Sequence, residues 1–407
     1  MFSRLKKADG HNFSPLFFLS ALGSGGLSVS FFMYLMFWVP DKNSPIPTFS
    51  YLTEVLSKNF TWLSAVVILA LIFIFVFAIN FLRMLTWNWV SYRKFKKTDD
   101  YHALVNSNAE TQLMAIPLTL SMGVNVLFIL GAVFVPGLWS IKEWLFPLAL
   151  IAFGVIGFFA FRIYLDFFAR VMSRGDFDST KNNNLSQVLP AFAFAMVGVG
   201  FAASAAMSDV TVTVVLGMIG AIFFSVTALI LAAIKLVIGF REMFEHGAAT
   251  ESLPTLLIMI PILTIVGISI LRINHGTQVL NEVQSWNNFM WLTAFIATQA
   301  LFAIMGLSLK RRTKYFSTYV YGTTKSPSSF ALICPGVAGF VLLSFWINKG
   351  LLPVMPADVL SKFDLAYFIL YIPLIYLQYK TVRLYSHLNR KLLSEVQSEA
   401  SMSHATV

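Results

Sequence analysis

Ten long apolar stretches constrain the fold of this chain more than any other feature of its sequence. Each has about the 20 residues that a helix needs to cross the hydrocarbon core of a bilayer. The predicted helices cover residues 14–39, 61–84, 112–135, 144–166, 186–208, 210–237, 252–272, 288–309, 327–347 and 362–383. With 57% hydrophobic and 12% charged residues over 407 positions, the chain has too little charge for a soluble surface. The sequence therefore predicts an all-α integral membrane protein with ten transmembrane helices.

The apolar stretches recur with a regular period. Pro117, Pro190, Pro261 and Pro335 lie 73, 71 and 74 residues apart, each inside an odd-numbered predicted helix. A period of this length indicates a repeated unit, here a hairpin of two helices, of which the chain has five. The odd-numbered helices carry the prolines, glycines and small polar residues, whereas the even-numbered helices are mostly uninterrupted and apolar.

A proline bends a helix and frees a backbone carbonyl, which lipid tolerates poorly. We therefore expect the odd helices to form an inner ring around a central pore and the even helices to form a lipid-facing outer ring. The residues expected to line the pore are Gly25, Gly26, Pro117, Ser121, Pro190, Pro261, Thr264, Pro335 and Gly336. Small residues also mark close helix contacts without any pore, so close packing remains an alternative for each of them.

The basic residues predict the orientation of the chain. If both termini lie on one side, that side receives 23 of the 29 Lys and Arg residues, and the positive-inside rule makes it cytoplasmic. The expected parts are a cytoplasmic N-terminus (1–13), a transmembrane domain (14–383) with an amphipathic cytoplasmic insert (85–105), and a cytoplasmic tail (384–407). The loop 41–60 is expected outside. This topology explains the basic clusters better than nucleic-acid binding does.

Residue patterns for catalysis or metal binding are missing from the sequence. All six histidines fall outside the predicted helices, and none has a metal-ligand spacing. An enzyme would need loop residues such as Glu245, His246 and Glu251 to act together, and solvated loop charges explain these better. We expect no catalytic residue, no metal and no cofactor. The predicted helix centres also lack Asp, Glu, Lys, Arg and His, so a buried proton relay is not expected.

Three segments resemble the tellurite-resistance/dicarboxylate transporter family, which includes the plant slow anion channels. They are the glycine-rich segment 21–27, the segment 253–261 with two prolines, and the segment 329–335 that ends at Pro335. The resemblance implies a central anion pore lined by odd helices, a phenylalanine that occludes it, and a trimer. Family members tend to have aromatic residues just ahead of the helix-9 proline, where this chain has Leu332 and Cys334.

The candidate gate residues are Phe330, then Phe194, then Phe192. Phe330 lies about one turn before Pro335, and the other two follow Pro190. Packing against lipid or protein is the alternative for each, because the chain has 40 phenylalanines. The expected function is the passage of small inorganic or organic anions across the inner or plasma membrane, by a channel or channel-like uniporter. A secondary transporter of dicarboxylate, sulfite or tellurite-type oxyanions, with or without proton coupling, is the alternative; a membrane enzyme or receptor is less expected.

Overall fold

The described part of the chain contains ten long apolar helices, each able to span a membrane by length and composition. The computed structural model describes residues 4–41, 44–58, 61–178, 183–280 and 287–395. In chain order, spans 1 to 10 are Pro15–Trp38, Trp62–Phe95, Asn108–Phe134, Leu138–Arg174, Ser186–Met207, Thr211–His246, Thr250–Gln278, Asn288–Arg312, Pro327–Leu351 and Leu365–Leu393. A short helix, Phe49–Ser57, lies between spans 1 and 2, and another, Asp99–Val105, lies between spans 2 and 3. A multi-pass membrane protein accounts for this arrangement.

Every odd-numbered span begins with a 3₁₀ segment that continues into an α-helix. The 3₁₀ segments are Pro15–Phe17, Asn108–Met114, Ser186–Val188, Thr250–Leu257 and Pro327–Leu332. The four periodic prolines are the second or third residue of the α-helix that follows. A proline is tolerated there because first-turn N–H groups have no intrahelical acceptor. The expected mid-helix bends at these prolines are therefore corrected to helix starts.

Among the described residues, prolines in the interior of α-helices occur in the even-numbered spans instead. Pro147 lies within span 4 and Pro373 within span 10. The even helices are apolar, as expected from the sequence. Two of them are nevertheless interrupted by a proline, at Pro147 and Pro373.

Burial separates the odd spans from the even spans. In the most apolar window of each helix, 67–89% of the residues are buried in the odd spans and 17–39% in the even spans. Each odd span contacts the next odd span, and span 9 contacts span 1. Large apolar side chains of the even spans, such as Ile151 and Phe158, are exposed on the outside of the helices. Such faces suit contact with lipid.

Several helices extend beyond their predicted ends. Span 2 continues to Phe95, so residues 85–95 of the predicted insert belong to its helix, and the short helix Asp99–Val105 follows. The α-helix of span 10 continues to Leu393, ten residues past the predicted end at 383. Span 7 continues to Val279 rather than 272. The predicted ends were placed where the apolar residues stop, whereas these helices continue with polar and basic residues.

The two ends of the described chain pair with each other. Leu5 and Ser394 form an antiparallel bridge, with hydrogen bonds from Lys6 N to Leu393 O (2.8 Å) and from Glu395 N to Arg4 O (3.0 Å). Both ends therefore lie at the same end of the helix bundle. Residues 1–3 of the predicted N-terminal segment, 42, 43, 59 and 60 of the predicted outside loop, and 396–407 of the predicted tail are outside the described residues.

Candidate functional site

The larger of two described cavities lies between the odd-numbered spans and has a volume of about 400 Å³. All five odd spans contribute to its wall, and Asn288 at the start of span 8 is the one even-span residue among the described lining residues. Most of the wall is apolar, and it includes Leu22, Val29, Phe32, Met33, Met36, Met122, Phe128, Ile129, Met196, Val199, Ile265, Ile268, Val337, Val341 and Phe345. The cavity is thus built from the most buried helices of the molecule.

One end of the larger cavity is basic. Arg272 and His275 of span 7 and Lys349 of span 9 line it, and no Asp or Glu is among its described lining residues. Arg272 and His275 are three residues apart in an α-helix, so they share a helix face. Asn274 and Gln278 add neutral polar groups at the same end. Such an end attracts anions and repels cations.

The charge of Lys349 also reaches residues around the cavity. Lys349 belongs to a short π-helix, Trp346–Leu351, at the end of span 9, and it lies close enough to His275 to act on it electrostatically. Lys362, just outside the spans, has its pKa lowered by burial and, to a smaller extent, by the charge of Lys349. Positive charge is therefore concentrated on this side of the cavity.

Arg272 is held in place by the backbone of a neighbouring span. Its Nη1 donates a hydrogen bond of 2.9 Å to the carbonyl of Val199 in span 5. Among the described residues, no carboxylate forms an ion pair with Arg272. A guanidinium has five N–H donors in a fixed plane, so one hydrogen bond fixes its position and leaves other donors for a ligand.

Polar groups in the apolar part of the cavity are largely occupied. The Thr264 hydroxyl donates to Ala338 O (3.0 Å) and accepts from Gln299 Nε2 (2.8 Å). The amide of Asn125 donates to Ser121 O (3.1 Å). The two bonds of Thr264 join span 7 to spans 9 and 8, and the bond of Asn125 lies within span 3.

The smaller cavity lies at the N-terminal ends of the odd spans and has a volume of about 260 Å³. Its described lining residues carry hydroxyls and amides and no formal charge. The polar ones are Ser107, Asn108, Gln112, Asn184, Ser186, Gln187, Ser252, Thr255 and Ser328. Helix N-termini carry a partial positive charge and free N–H groups, so this cavity also favours anions over cations.

Three residues line both cavities: Phe192, Pro261 and Cys334. They come from spans 5, 7 and 9, and the Phe192 side chain is 4% exposed. The two cavities therefore share a mainly apolar boundary at these three residues. Phe192 is the only one of the three candidate gate residues that lines a described cavity.

The other two candidate gate residues lie elsewhere. Phe330 is fully buried in the 3₁₀ segment of span 9, and its ring packs edge-on against Phe17 with 6.4 Å between centroids. Phe194 packs at 4.5 Å from Phe161 of span 4 and at 6.2 Å from Phe224 of span 6. Neither lines a described cavity. Phe330 precedes the α-helix of span 9, and Pro335 is the third residue of that helix.

The predicted pore-lining residues divide into two groups. Gly26, Pro261 and Thr264 line the larger cavity. The remainder line neither cavity, and they are Gly25, Pro117, Ser121, Pro190, Pro335 and Gly336. At two of these positions the small residue allows close packing: a Cβ at Gly25 would lie 2.5 Å from Met122 Cγ, and one at Gly336 would overlap Thr381.

Sequence reasoning missed the basic residues of the cavity. Arg272 was placed at the end of a helix and His275 in a loop, whereas the helix continues past both. The available signal was helical spacing, since Thr264, Ile268, Arg272 and His275 recur at intervals of four, four and three residues. Both residues lie in about the last two turns of span 7, near its end rather than at its centre.

The histidine and acidic residues at the C-terminal end of span 6 form a separate group. Ligand atoms of Glu242, Glu245 and His246 lie within 4.8 Å of one another. Glu245 is paired with Arg241 (3.1 Å), and Glu251 accepts a hydrogen bond from Ser326 (2.7 Å). The three residues considered for an enzyme, Glu245, His246 and Glu251, are thus engaged with different neighbours. Glu242 is buried, whereas Glu245 and His246 are exposed.

Comparisons of the chain with protein families, with curated proteins and with solved structures find no match.

Proposed function

We propose that the protein passes small anions across a membrane through the centre of its helix bundle, as a channel or channel-like uniporter. The observation that carries the proposal is the basic end of the larger cavity, where Arg272, His275 and Lys349 occur without a described acidic residue. Charged residues within the spans of a membrane protein are costly and mark ion or substrate pathways. Here they lie between the most buried helices.

In this proposal the two cavities are the two halves of one route. An anion attracted to the basic end passes the constriction at Phe192, Pro261 and Cys334 and reaches the hydroxyls and amides of the smaller cavity. An apolar constriction offers no replacement for a hydration shell and blocks ions while it is dry. Phe192 is the proposed gate because its side chain is the bulkiest of the three.

The finer architecture belongs to the same proposal. Five hairpins surround a central pore, with odd spans inside and even spans outside, and the burial difference between the two sets supports this arrangement. Both termini are cytoplasmic in a cell or inner membrane, as the basic residues favour. Membership of the tellurite-resistance/dicarboxylate transporter family and assembly as a trimer are proposed from the sequence resemblance alone.

A proton-coupled carrier is the second candidate, and one observation favours it. His275 lines the larger cavity, and a histidine on a substrate route can bind and release protons near neutral pH. A carrier of this kind would move its anion uphill when a pH difference is imposed, whereas a channel would not.

The experiment is anion efflux from liposomes that contain the purified protein. We expect nitrate or chloride efflux to follow the electrochemical gradient of the anion, and Arg272→Gln to lower it about tenfold, which equals about 1.4 kcal/mol. The matched control is Arg241→Gln, which removes an exposed arginine paired with Glu245 and should leave efflux unchanged. Equal efflux from protein-free liposomes would overturn the proposal.

A further inference from the structure

The larger cavity has two chemically different parts. Along span 7, Thr264, Ile265 and Ile268 line it before Arg272 and His275 do. At 1.5 Å per residue, Ile265 and Arg272 are about 10 Å apart along the helix axis. Span 9 repeats the order, with Val341 in the apolar part and Lys349 at the basic end. The cavity therefore combines a positive end with an apolar body.

The apolar body of the cavity adds nothing to the binding of a small inorganic anion. Such an ion gains from hydroxyls, amides and charge, whereas apolar walls replace none of its hydration. A volume of about 400 Å³ lies within the range of small-molecule sites, which are mostly apolar with a few placed polar groups. Burial against Ile265, Ile268 and Val341 would favour the apolar part of a ligand.

We propose that the larger cavity binds an organic anion, with its carboxylate at Arg272 and a compact apolar body of several carbons against the walls near Ile265 and Val341. Arg272 is suited to this role because its hydrogen bond to Val199 O fixes the guanidinium while other N–H donors stay free for the two carboxylate oxygens. Lys349 adds to the positive potential. The inference rests on the proposed function only in placing this ligand on the transport route.

The test is binding of a series of linear carboxylates to the purified full-length protein, measured by isothermal titration calorimetry. The probes are acetate, butanoate and hexanoate, with chloride as the inorganic anion and hexanamide as the uncharged match of hexanoate. We expect affinity to rise about fourfold for each added methylene. Hexanamide and chloride should each bind at least about tenfold more weakly than hexanoate. Hexanamide lacks the negative charge, and chloride lacks the apolar chain.

Variants separate the two parts of the cavity. Arg272→Gln should weaken all carboxylates about tenfold, Arg272→Lys should weaken them less, and Arg241→Gln should weaken none. Val341→Thr, close in shape, should leave acetate binding unchanged and weaken hexanoate. Affinity that is flat across the series, or equal loss in Arg272→Gln and Arg241→Gln, would overturn the inference.

The outcome also distinguishes this inference from the proposed function. If carboxylate affinity rises with chain length but the protein shows no anion efflux, the inferred binding site is supported and the transport proposal is wrong. Chloride efflux that depends on Arg272, together with carboxylate affinity that does not change with chain length, would support the transport proposal and remove the binding site for an organic anion.

Discussion

Arg272 of span 7 donates a hydrogen bond of 2.9 Å from Nη1 to the carbonyl oxygen of Val199 in span 5. This bond joins two buried helices and holds a positive group at the wall of the larger cavity. A neutral acceptor keeps the full charge of the guanidinium, which a carboxylate partner would cancel. The arrangement fixes the side chain and preserves its attraction for anions.

The constriction gives the first prediction. Phe192→Ala should raise anion efflux several-fold, because it removes the largest apolar side chain between the two cavities. Phe330→Ala and Phe194→Ala are matched controls, since both rings are buried away from the cavities. Stopped-flow efflux from liposomes is the measurement. If Phe330→Ala raises efflux and Phe192→Ala does not, the gate belongs to span 9.

The single cysteine of the chain supplies the second prediction. Cys334 lines both cavities, so a small negatively charged thiol reagent that reaches it should block efflux by filling the constriction and repelling anions. Cys334→Ser protein should transport normally and be insensitive to the reagent. Mass spectrometry of the treated protein checks modification. A fully modified protein with unchanged efflux would contradict a route past Cys334.

Energy coupling is the third prediction. A channel or uniporter should not accumulate an anion when only a pH difference is imposed, and His275→Gln should not change the direction of flux. The measurement is uptake of a labelled anion into liposomes with an acidic or an alkaline interior. Uphill uptake that disappears in His275→Gln would establish the proton-coupled alternative, because His275 is the histidine that lines the cavity.

Topology gives the fourth prediction. Ser140 and Ser173 are exposed near opposite ends of span 4. In the Cys334→Ser background, an impermeant thiol reagent added to intact cells should label Ser140→Cys but not Ser173→Cys, because positive-inside topology places Ser173 in the cytoplasm. Gel-shift detection of the label checks this. The reverse pattern would invert the orientation of the whole chain.

Helix packing gives the fifth prediction. A Cβ at Gly217 of span 6 would lie 2.8 Å from the backbone nitrogen of Ala205 in span 5, whereas one at Gly154 of span 4 would meet nothing closer than 4.0 Å. Gly217→Ala should therefore destabilise the protein by about 1–3 kcal/mol, since backbone must move. Gly154→Ala should be neutral or stabilising by up to about 1 kcal/mol. Thermal unfolding in detergent compares the two, and equal melting temperatures would refute the packing argument.

The ten spans could be predicted from the sequence because apolar length alone identifies a helix that crosses a bilayer. The helix ends could not, as Arg272 and His275 illustrate. A hydropathy window ends at a charged residue, whereas a helix that borders a cavity can continue with charged residues on one face. The positions of the periodic prolines were found, but their role as helix starts depends on the 3₁₀ segments before them.

The candidate gate shows a second limit of sequence reasoning. Phe192 and Phe194 are two residues apart on one helix, so they point to different sides. Only the neighbours decide that Phe192 borders the cavities while Phe194 packs among Phe161 and Phe224. Spacing within one helix does not identify the face that borders the other odd spans.

The bridge between Leu5 and Ser394 has a consequence for how the protein is made. The ribosome synthesises the chain from its N-terminus, so Leu5 is made long before its partner Ser394. The contact between span 1 and span 9 can likewise form only after span 9 has been synthesised. Native assembly of the bundle can therefore be completed only after synthesis has passed the tenth span, and until then the early helices need lipid or the insertion machinery as temporary neighbours.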